Sequence, residues 1–246
     1  MFSFLKPKKN LFSVLQDSID IHNHLLAGID DGADTLADTL ALISSYDRNN
    51  IKHIIATPHI MSGHYPNTPE SINNALKKTH KLLAENDLNH IKITAAAEYM
   101  IDETFEQLLE TGTLLTLKDR YVLVELSYYS PPINLYDVIY QLTVKGYTPV
   151  LAHPERYTFF HHDHESYKKL KELGCLFQLN LLSLTPYYGS EIMKTAQLLL
   201  KNNYIDLVAS DIHNKNQLKT LEDCTTSHSI YFELRKCSLR TKKLFL

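Results

Sequence analysis

The stretch DIHNHLLAGIDDG, residues 20–32, ends a short aliphatic run on two histidines one residue apart and sets two aspartates a few positions on. His22 and His24 are spaced like metal ligands, but 13 histidines in 246 residues give about one such pair by chance. His162 and His164 repeat the spacing farther along the chain. What stands at comparable positions elsewhere therefore decides what the first pair means.

Working outward, aliphatic or β-branched runs alternate with segments of helical period. The runs predict strands at 19–21, 53–56, 91–97, 121–125, 149–152, 176–179 and 206–209. Between them, Asp34, Thr68 followed by Pro69, and Asp102 are expected to cap helices. Ser190 is expected to open the last long helix, and Gly112, Gly146 and Gly174 to close earlier ones. Strands that are apolar almost throughout, separated by helices, imply a parallel sheet covered by helices. Seven such units with no linker, repeat or composition break predict an α/β fold closed into one distorted (βα)7 barrel.

In such barrels the site forms at the carboxyl ends of the strands. The first strand ends in His22 and His24, with Asp30 and Asp31 in the loop. The second ends at His59, the third at Glu98 and the fourth at Glu125. The fifth runs into His153, Glu155 and Arg156, and the seventh into Asp211 and His213. Only the sixth, ending at Asn180, lacks a carboxylate or imidazole. Any one of these taken singly reads as an ordinary rim or core residue; six strand ends agreeing read as a metal site. Glu98 and Glu125 follow apolar runs, so they are partly desolvated and need a cation. His161, His162 and His164 fall in a polar loop and are read as surface residues, as are His53, His80, His90 and His228.

Composition removes other classes. A net charge of −3 without a long basic run argues against nucleic acid as a partner. Cys175, Cys224 and Cys237 form no CxxC pair, so neither a disulfide framework nor a thiolate zinc site is expected, and a reducing cytoplasm is. Cysteine-dependent phosphatases need C-x5-R, whereas Leu181, Ile230 and Lys243 occupy the sixth position after each cysteine. No apolar run is long enough to span a membrane, and the start MFSFLKPKKNLF lacks the apolar core of a secretory signal and is expected to fray. Amidohydrolase barrels also begin with His-x-His but place a bridging lysine at the fourth strand end, where this chain has Glu125.

The motifs DIHNHLLAGIDDGA, ATPHIMSGHYPNTPE, AAEYMID, VLVELSYYSPP, GYTPVLAHPERY, FQLNLLSL and LVASDIHN come in that order. Through them the chain resembles the polymerase-and-histidinol-phosphatase (PHP) superfamily. Within it, the nearest likeness is to the manganese-dependent bacterial tyrosine phosphatases that act on exopolysaccharide and capsule autokinases. The resemblance implies a PHP-type distorted seven-unit barrel over residues 18–214, preceded by a tail at 1–17 and followed by a C-terminal extension at 215–246. That extension is left open between a strand and helix packed on the barrel and a loosely attached tail.

The resemblance also implies three metals, Mn²⁺ first and Fe²⁺ or Zn²⁺ as substitutes. The first would be held by His22, His24, Glu98 and Asp211; the second by a bridging Glu98 with Glu125 and His153; the third by Asp31, His59 and His213. Imidazole and carboxylate donors without thiolate agree with those ions. Three divalent ions against four carboxylates leave about two positive charges to attract a phosphate. The expected reaction is phosphomonoester hydrolysis, with Arg156 gripping the phosphoryl oxygens; a rim salt bridge to Glu155 is its bland alternative. The family usually carries a second arginine after the final Asp-x-His, where this chain offers only Lys215 and Lys219. The implied partner is a phosphotyrosine-bearing protein, a membrane-associated autokinase. The rival readings are a histidinol-phosphate phosphatase and a non-catalytic phosphotyrosine-binding module. Tyr65, Tyr99, Tyr128, Tyr129 and Tyr157 follow strand ends and are candidates for an aromatic rim, with ordinary packing as the alternative.

Overall fold

A computed structural model describes residues 9–246; residues 1–8, within the expected tail, lie outside the described residues. Seven parallel strands follow one another around a barrel. They are Ile19–Asp20; His53–Ala56 continued by His59–Ile60; Lys92–Ala95 continued by Glu98–Met100; Tyr121–Glu125; Thr148–Ala152; Leu176–Asn180; and Leu207–Ala209. Each pairs in parallel with its neighbours in chain order.

The distortion has a local cause. Pro58 has no N–H for the ladder and restricts Thr57, and the second strand breaks there. The Thr57 amide turns to the carbonyl of Asn23 (2.9 Å). The barrel closes through a single bridge between Asn23 and Ile212, flanked by bonds from the Asp211 amide to His22 (2.8 Å) and from the His24 amide to Ile212 (2.9 Å). Closure thus falls among the very residues expected to carry the chemistry.

Side chains alternate along the strands. Ile19, Ile21, Ile55, Leu123, Val150, Ala152, Leu207 and Ala209 fill the barrel interior. Their neighbours, such as Ile54, Val122, Val124, Leu151, Phe177 and Val208, meet the surrounding helices.

Those helices are α1 (Leu36–Arg48), α2 (Pro69–Glu85), α3 (Glu103–Thr111), α4 (Leu135–Val144), α5 (His164–Glu172), α6 (Ser190–Lys201), α7 (Lys215–Asp223) and α8 (His228–Phe245). Thr68 and Ser71 form a reciprocal capping box with Pro69 in the first turn of α2. Asp102 accepts from the Phe105 amide (2.9 Å), and Gly112 ends α3 at φ +70°. One expected cap shifts by one residue, while Ser190 opens α6 as expected. Thr35, not Asp34, accepts from the Asp38 amide (3.2 Å), and α6 starts behind Gly189 with no side-chain cap.

Both ends of the described residues are packed. Lys9–Asn10 pairs antiparallel with Thr225–Thr226, and Phe12, Val14 and Leu15 in the turn after it are fully buried, so the expected fraying is not found at these residues. Residues 215–246 form α7 and α8. Ser238 donates to the Val14 carbonyl (2.8 Å), and Arg235 reaches the carbonyls of Val14 and Gln16 (both 2.8 Å). Phe245 sits edge-on to Tyr121 at the amino end of the fourth strand (5.1 Å) and joins the interior cluster.

Phe12 meets the ring of Tyr46 edge-on at 5.2 Å with no exposed surface. Phe12→Ala is therefore expected to destabilise the protein by about 3–5 kcal/mol in urea denaturation. A loss under about 1 kcal/mol would contradict this packing.

Candidate metal centre

The chain leaves the first strand through His22, Asn23 and His24, anchored from below by Asp20. That carboxylate, buried without exposure, accepts from the Ser210 amide (3.0 Å), the Ser210 hydroxyl (2.6 Å) and the Tyr46 hydroxyl (2.7 Å). It thereby ties the first strand end to the seventh. Burial raises its pKa against the pull of those bonds.

The loop after His24 folds back on the strand. The Ala33 amide donates to the His24 carbonyl (3.0 Å), and a Cβ on Gly32 would lie 2.1 Å from that oxygen, so only glycine fits. This turn sends the two adjacent aspartates opposite ways. Asp30 accepts from His24 Nδ1 (2.8 Å), while Asp31, half-exposed, faces the Nε2 atoms of His59 (3.3 Å) and His213 (3.4 Å).

All nine expected ligands converge. Glu98 lies at the centre, with Oε2 3.1 Å from His22 Nε2, 3.4 Å from His24 Nε2 and 3.2 Å from His59 Nδ1, and Oε1 3.0 Å from His153 Nε2. Asp211 Oδ1 stands 3.2 Å from His22 Nε2 and 3.4 Å from His24 Nε2, and Glu125 Oε1 2.8 Å from His59 Nδ1. Four donor sets fall within 4.8 Å: His24, Asp31, His59 and His213; His22, His24 and Asp211; His22, Glu98 and His153; and His59, Glu98 and Glu125. The sets thus cut across the expected partition. His24 also stands with the Asp31 group, His59 with the two glutamates, and His22 beside His153.

The donors fit a divalent metal. Two ligands each roughly 2.1 Å from one ion, at tetrahedral to octahedral angles, stand about 3.0–3.4 Å apart. The spacings at Glu98 Oε2 and Asp211 Oδ1, 3.1–3.4 Å, are of that size. Yet Glu98 Oε2, Glu125 Oε1, Asp211 Oδ1, His59 Nδ1 and His153 Nδ1 are buried and lack an aligned hydrogen bond. The residues of these atoms stand in the donor sets, and His59 Nδ1 is crowded within ion-pair distance of Glu98 Oε2 and Glu125 Oε1 without an aligned hydrogen bond. Buried carboxylate and imidazole atoms crowded together without aligned hydrogen bonds are costly unless a cation joins them.

The local electrostatics favours positive charge of any kind. Burial and His24 work against a proton on His59, but Glu98 and Glu125 prevail and push its pKa up to about 10. Burial raises Glu98, yet His22 and His59 hold it well below the usual carboxylate range. Burial and the neighbouring charge of Glu98 raise Glu125 instead. Burial together with Arg156 lowers His153 to about 4, leaving its imidazole neutral and free to ligate.

Two of the expected ligands occupy strained backbone. His153 has φ +34° and Asp211 φ +51°, the left-handed region, which costs about 1 kcal/mol or more at a residue other than glycine. Both stand where a strand turns abruptly to face the mouth.

Arg156 does not pair with Glu155. Its Nη1 donates to Asp211 Oδ2 (2.9 Å), and its guanidinium lies between the rings of Tyr128 (4.7 Å) and Tyr188 (4.3 Å). Glu155 is fully buried behind it, accepts from the Asn180 amide (3.0 Å), and is pushed by burial up to about 7. Lys215 binds Asp38 and Lys219 binds Asp223, each at 2.8 Å, so both are engaged elsewhere. Of the aromatic candidates, Tyr65 stacks on His59 (5.4 Å) and Tyr128 and Tyr129 are exposed. Tyr99 and Tyr157 are buried, their hydroxyls accepting from the amides of Leu115 and Leu126. His162, His164, His80, His90 and His228 are exposed, as expected; His53 is partly buried, and His161 is half-buried against the Glu155 carbonyl (2.8 Å).

Sequence reasoning missed three residues that touch the ligands: Asp30, Gln178 and Asn180. Gln178 Oε1 lies 2.7 Å from His22 Nδ1, and Asn180 Nδ2 donates to Asp211 Oδ2 (2.6 Å). The available signal was a glutamine within an otherwise apolar strand, LFQLN.

Comparison with known proteins bears on this arrangement. The family model for capsular polysaccharide synthesis, CpsB/CapC, matches residues 18–232. The tyrosine-protein phosphatase YwqE of Bacillus subtilis is 35% identical over 197 residues, spanning 80% of this chain and 77% of its own. The tyrosine-protein phosphatase CpsB of Streptococcus agalactiae is 29% identical over 202 residues, spanning 80% and 83%. A crystal structure from work on YwqE of Bacillus subtilis and CpsB of Streptococcus pneumoniae, described as unique metal-dependent tyrosine phosphatases, superposes with a TM-score of 0.77 at 33% identity. It covers 91% of this chain and 95% of its own.

Proposed function

Because this chain belongs to the CpsB/CapC family of capsular polysaccharide synthesis, we propose that it is a metal-dependent protein-tyrosine phosphatase. The observation that carries the reading is the convergence of nine ligands from six strand ends on one cavity, with buried donor atoms lacking other partners. A binding module that had lost catalysis would have no reason to keep the whole set.

His22, His24, Asp31, His59, Glu98, Glu125, His153, Asp211 and His213 would hold the ions, with Glu98 central enough to bridge. The mixed imidazole and carboxylate donors, free of thiolate, suit Mn²⁺, Fe²⁺ or Zn²⁺, and we favour Mn²⁺ in a three-ion cluster. Divalent ions held here supply Lewis acidity, drawing charge from phosphoryl oxygens and making water acidic enough to attack phosphorus near neutral pH.

The chain's own residues do the rest. Four carboxylates against the ions leave a cationic floor that draws a phosphate dianion to the mouth. Arg156, held flat between Tyr128 and Tyr188 and tethered by one nitrogen to Asp211, has the rest of its fork available for the phosphoryl oxygens. Tyr65 and the exposed part of Tyr128 offer ring faces to a phenyl group. A tyrosine phenolate, with an unperturbed pKa of about 10, leaves without strong general-acid help.

No helix among the described residues is long and apolar enough to cross a membrane. The partner we favour is a phosphotyrosine-bearing autokinase of capsule or exopolysaccharide assembly, presented at a membrane and met from the cytoplasm. The relatives' names and the family's description support that choice.

The test compares kcat/KM for a phosphotyrosyl peptide and for histidinol phosphate on one Mn²⁺-loaded preparation, before and after chelation. We expect the peptide to be preferred by more than tenfold, with chelation removing turnover and Mn²⁺ restoring it. A tenfold preference for histidinol phosphate would move the substrate assignment, and turnover that survives chelation would end the metal mechanism.

A further inference from the structure

The sixth strand is the one whose end carries neither carboxylate nor imidazole, yet Gln178 and Asn180 both point from it toward the cavity and neither has exposed surface. We propose that this strand orients the ligands: Gln178 and Asn180 are positioning residues that aim His22 and Asp211 and so set the metal affinity of the cluster. The inference rests on the reading of the cluster as a divalent-metal site.

Gln178 fixes a tautomer. Its Nε2 donates to the Leu179 carbonyl (2.9 Å), which can only accept, so the amide cannot be turned round. Its Oε1, also an acceptor only, therefore faces His22 Nδ1 at 2.7 Å, and Nδ1 must carry the hydrogen. The lone pair of His22 is left on Nε2, the atom facing Glu98 Oε2 (3.1 Å) and Asp211 Oδ1 (3.2 Å).

Asn180 fixes a rotamer by the same logic. Its Oδ1 accepts from the Leu182 amide (2.8 Å), which turns Nδ2 toward Asp211 Oδ2 (2.6 Å). Arg156 donates to that same oxygen (2.9 Å), so Oδ2 is occupied twice while Oδ1 remains unpaired and faces His22 and His24. Glu155, accepting from the Asn180 amide, clamps the strand end to the turn that carries Arg156. His24 and His213 have equivalent locks nearer home, through Asp30 and through the Asp211 carbonyl (3.0 Å). His22 has only Gln178.

Amides that merely filled the barrel would matter for stability and not for metal. Metal-stripped wild type, Gln178→Met, Gln178→Glu and Asn180→Leu are to be titrated with Mn²⁺ and Zn²⁺ against a chromophoric chelator, with metal-free melting recorded alongside. Loss of an outer partner lowers metal affinity roughly 10–100-fold, and we expect that loss in Gln178→Met and Asn180→Leu. Gln178→Glu keeps the acceptor facing His22 but loses the donor to the Leu179 carbonyl, so it should bind metal more tightly than Gln178→Met without needing to match wild type. In the Zn²⁺-loaded protein, an exchange-protected His22 imidazole N–H signal should appear in wild type and Gln178→Glu and vanish in Gln178→Met.

Wild-type affinity in Gln178→Met and Asn180→Leu, or equal losses in the Glu and Met variants, overturns the proposal. If Gln178→Met does not fold, the imidazole signal of Gln178→Glu and the metal affinity of Asn180→Leu decide the matter. A wild-type protein that takes up neither ion overturns the metal reading itself and this inference with it, and only that outcome appears in the wild-type arm.

Discussion

Glu98→Gln is expected to lower kcat/KM toward an aryl phosphate by at least about 10³-fold, roughly 4 kcal/mol in the barrier. The carboxylate is fully buried and stands within 3.4 Å of nitrogens from His22, His24, His59 and His153. It belongs to two of the four donor sets, so its loss disturbs more than one centre. Burial works against its ionisation, but His22 and His59 keep it charged, and the charge is what divalent ions need. Glutamine preserves the shape and one oxygen while substituting an N–H₂ group that can only donate. The fold should survive, because the side chain makes no backbone bond. A metal that binds only the folded state stabilises it by about 2.7 kcal/mol at a hundred times Kd. The variant should lose most of that gain, visible as a melting temperature that no longer rises with Mn²⁺. Activity above about a tenth of wild type, with an undiminished metal-induced rise, would sink the ligand assignment.

Glu98 also explains why so much of this site was legible before the structure. A closed parallel barrel needs apolar strands, so a lone acid ending VLVE or AAAE stands out against its background. The barrel then guarantees that such ends share one rim, which turns six separate observations into one. The sixth strand escaped because amides carry no charge to announce them, and Gln178 gains its meaning only from the imidazole opposite. From the residues alone Asp30 and Asp31 could not be told apart, for a different reason, and only the resemblance singled out Asp31. Which of them turns inward depends on the close approach of Gly32 to His24, a contact the sequence does not display. The grouping of ligands into centres was hidden likewise, since it depends on distances of a few ångströms between chains far apart in sequence.

The amino-terminal end was misread, and the carboxyl-terminal end left open, through composition rather than geometry. The buried face of α8 is Leu234, Ser238, Thr241 and Phe245, a helical spacing in which two of four members are hydroxyl residues. Ser238 and Thr241 bond to backbone carbonyls and so are tolerated inside, but they erase the apolar period that would have marked the helix. Phe12, Val14 and Leu15 lie in a single 3-10 turn, too short for any period to register.

The other large effect concerns Arg156, and it separates phosphate recognition from metal binding. Arg156→Ala should reduce kcat/KM for a phosphotyrosyl peptide by about 10²–10³-fold, the range seen when one preorganised donor is removed from a charged transition state. Arg156→Lys should recover little of this. A lysine presents a point charge; it cannot hold Asp211 Oδ2 with one nitrogen and offer a second in fixed geometry to the phosphate. Nor does it lie flat between Tyr128 and Tyr188, where the guanidinium is sandwiched at 4.7 and 4.3 Å. Metal affinity should change far less than turnover, because Asn180 still donates to Asp211 and the facing Oδ1 is untouched. Inhibition by inorganic phosphate should weaken in step with turnover, since product and transition state present similar oxygens to the same fork. Titration with Mn²⁺, phosphate inhibition and peptide kinetics on the three proteins give the answer. If the alanine variant keeps more than about a third of wild-type turnover, or if its loss is matched by an equal loss of metal, Arg156 serves the cluster rather than the substrate.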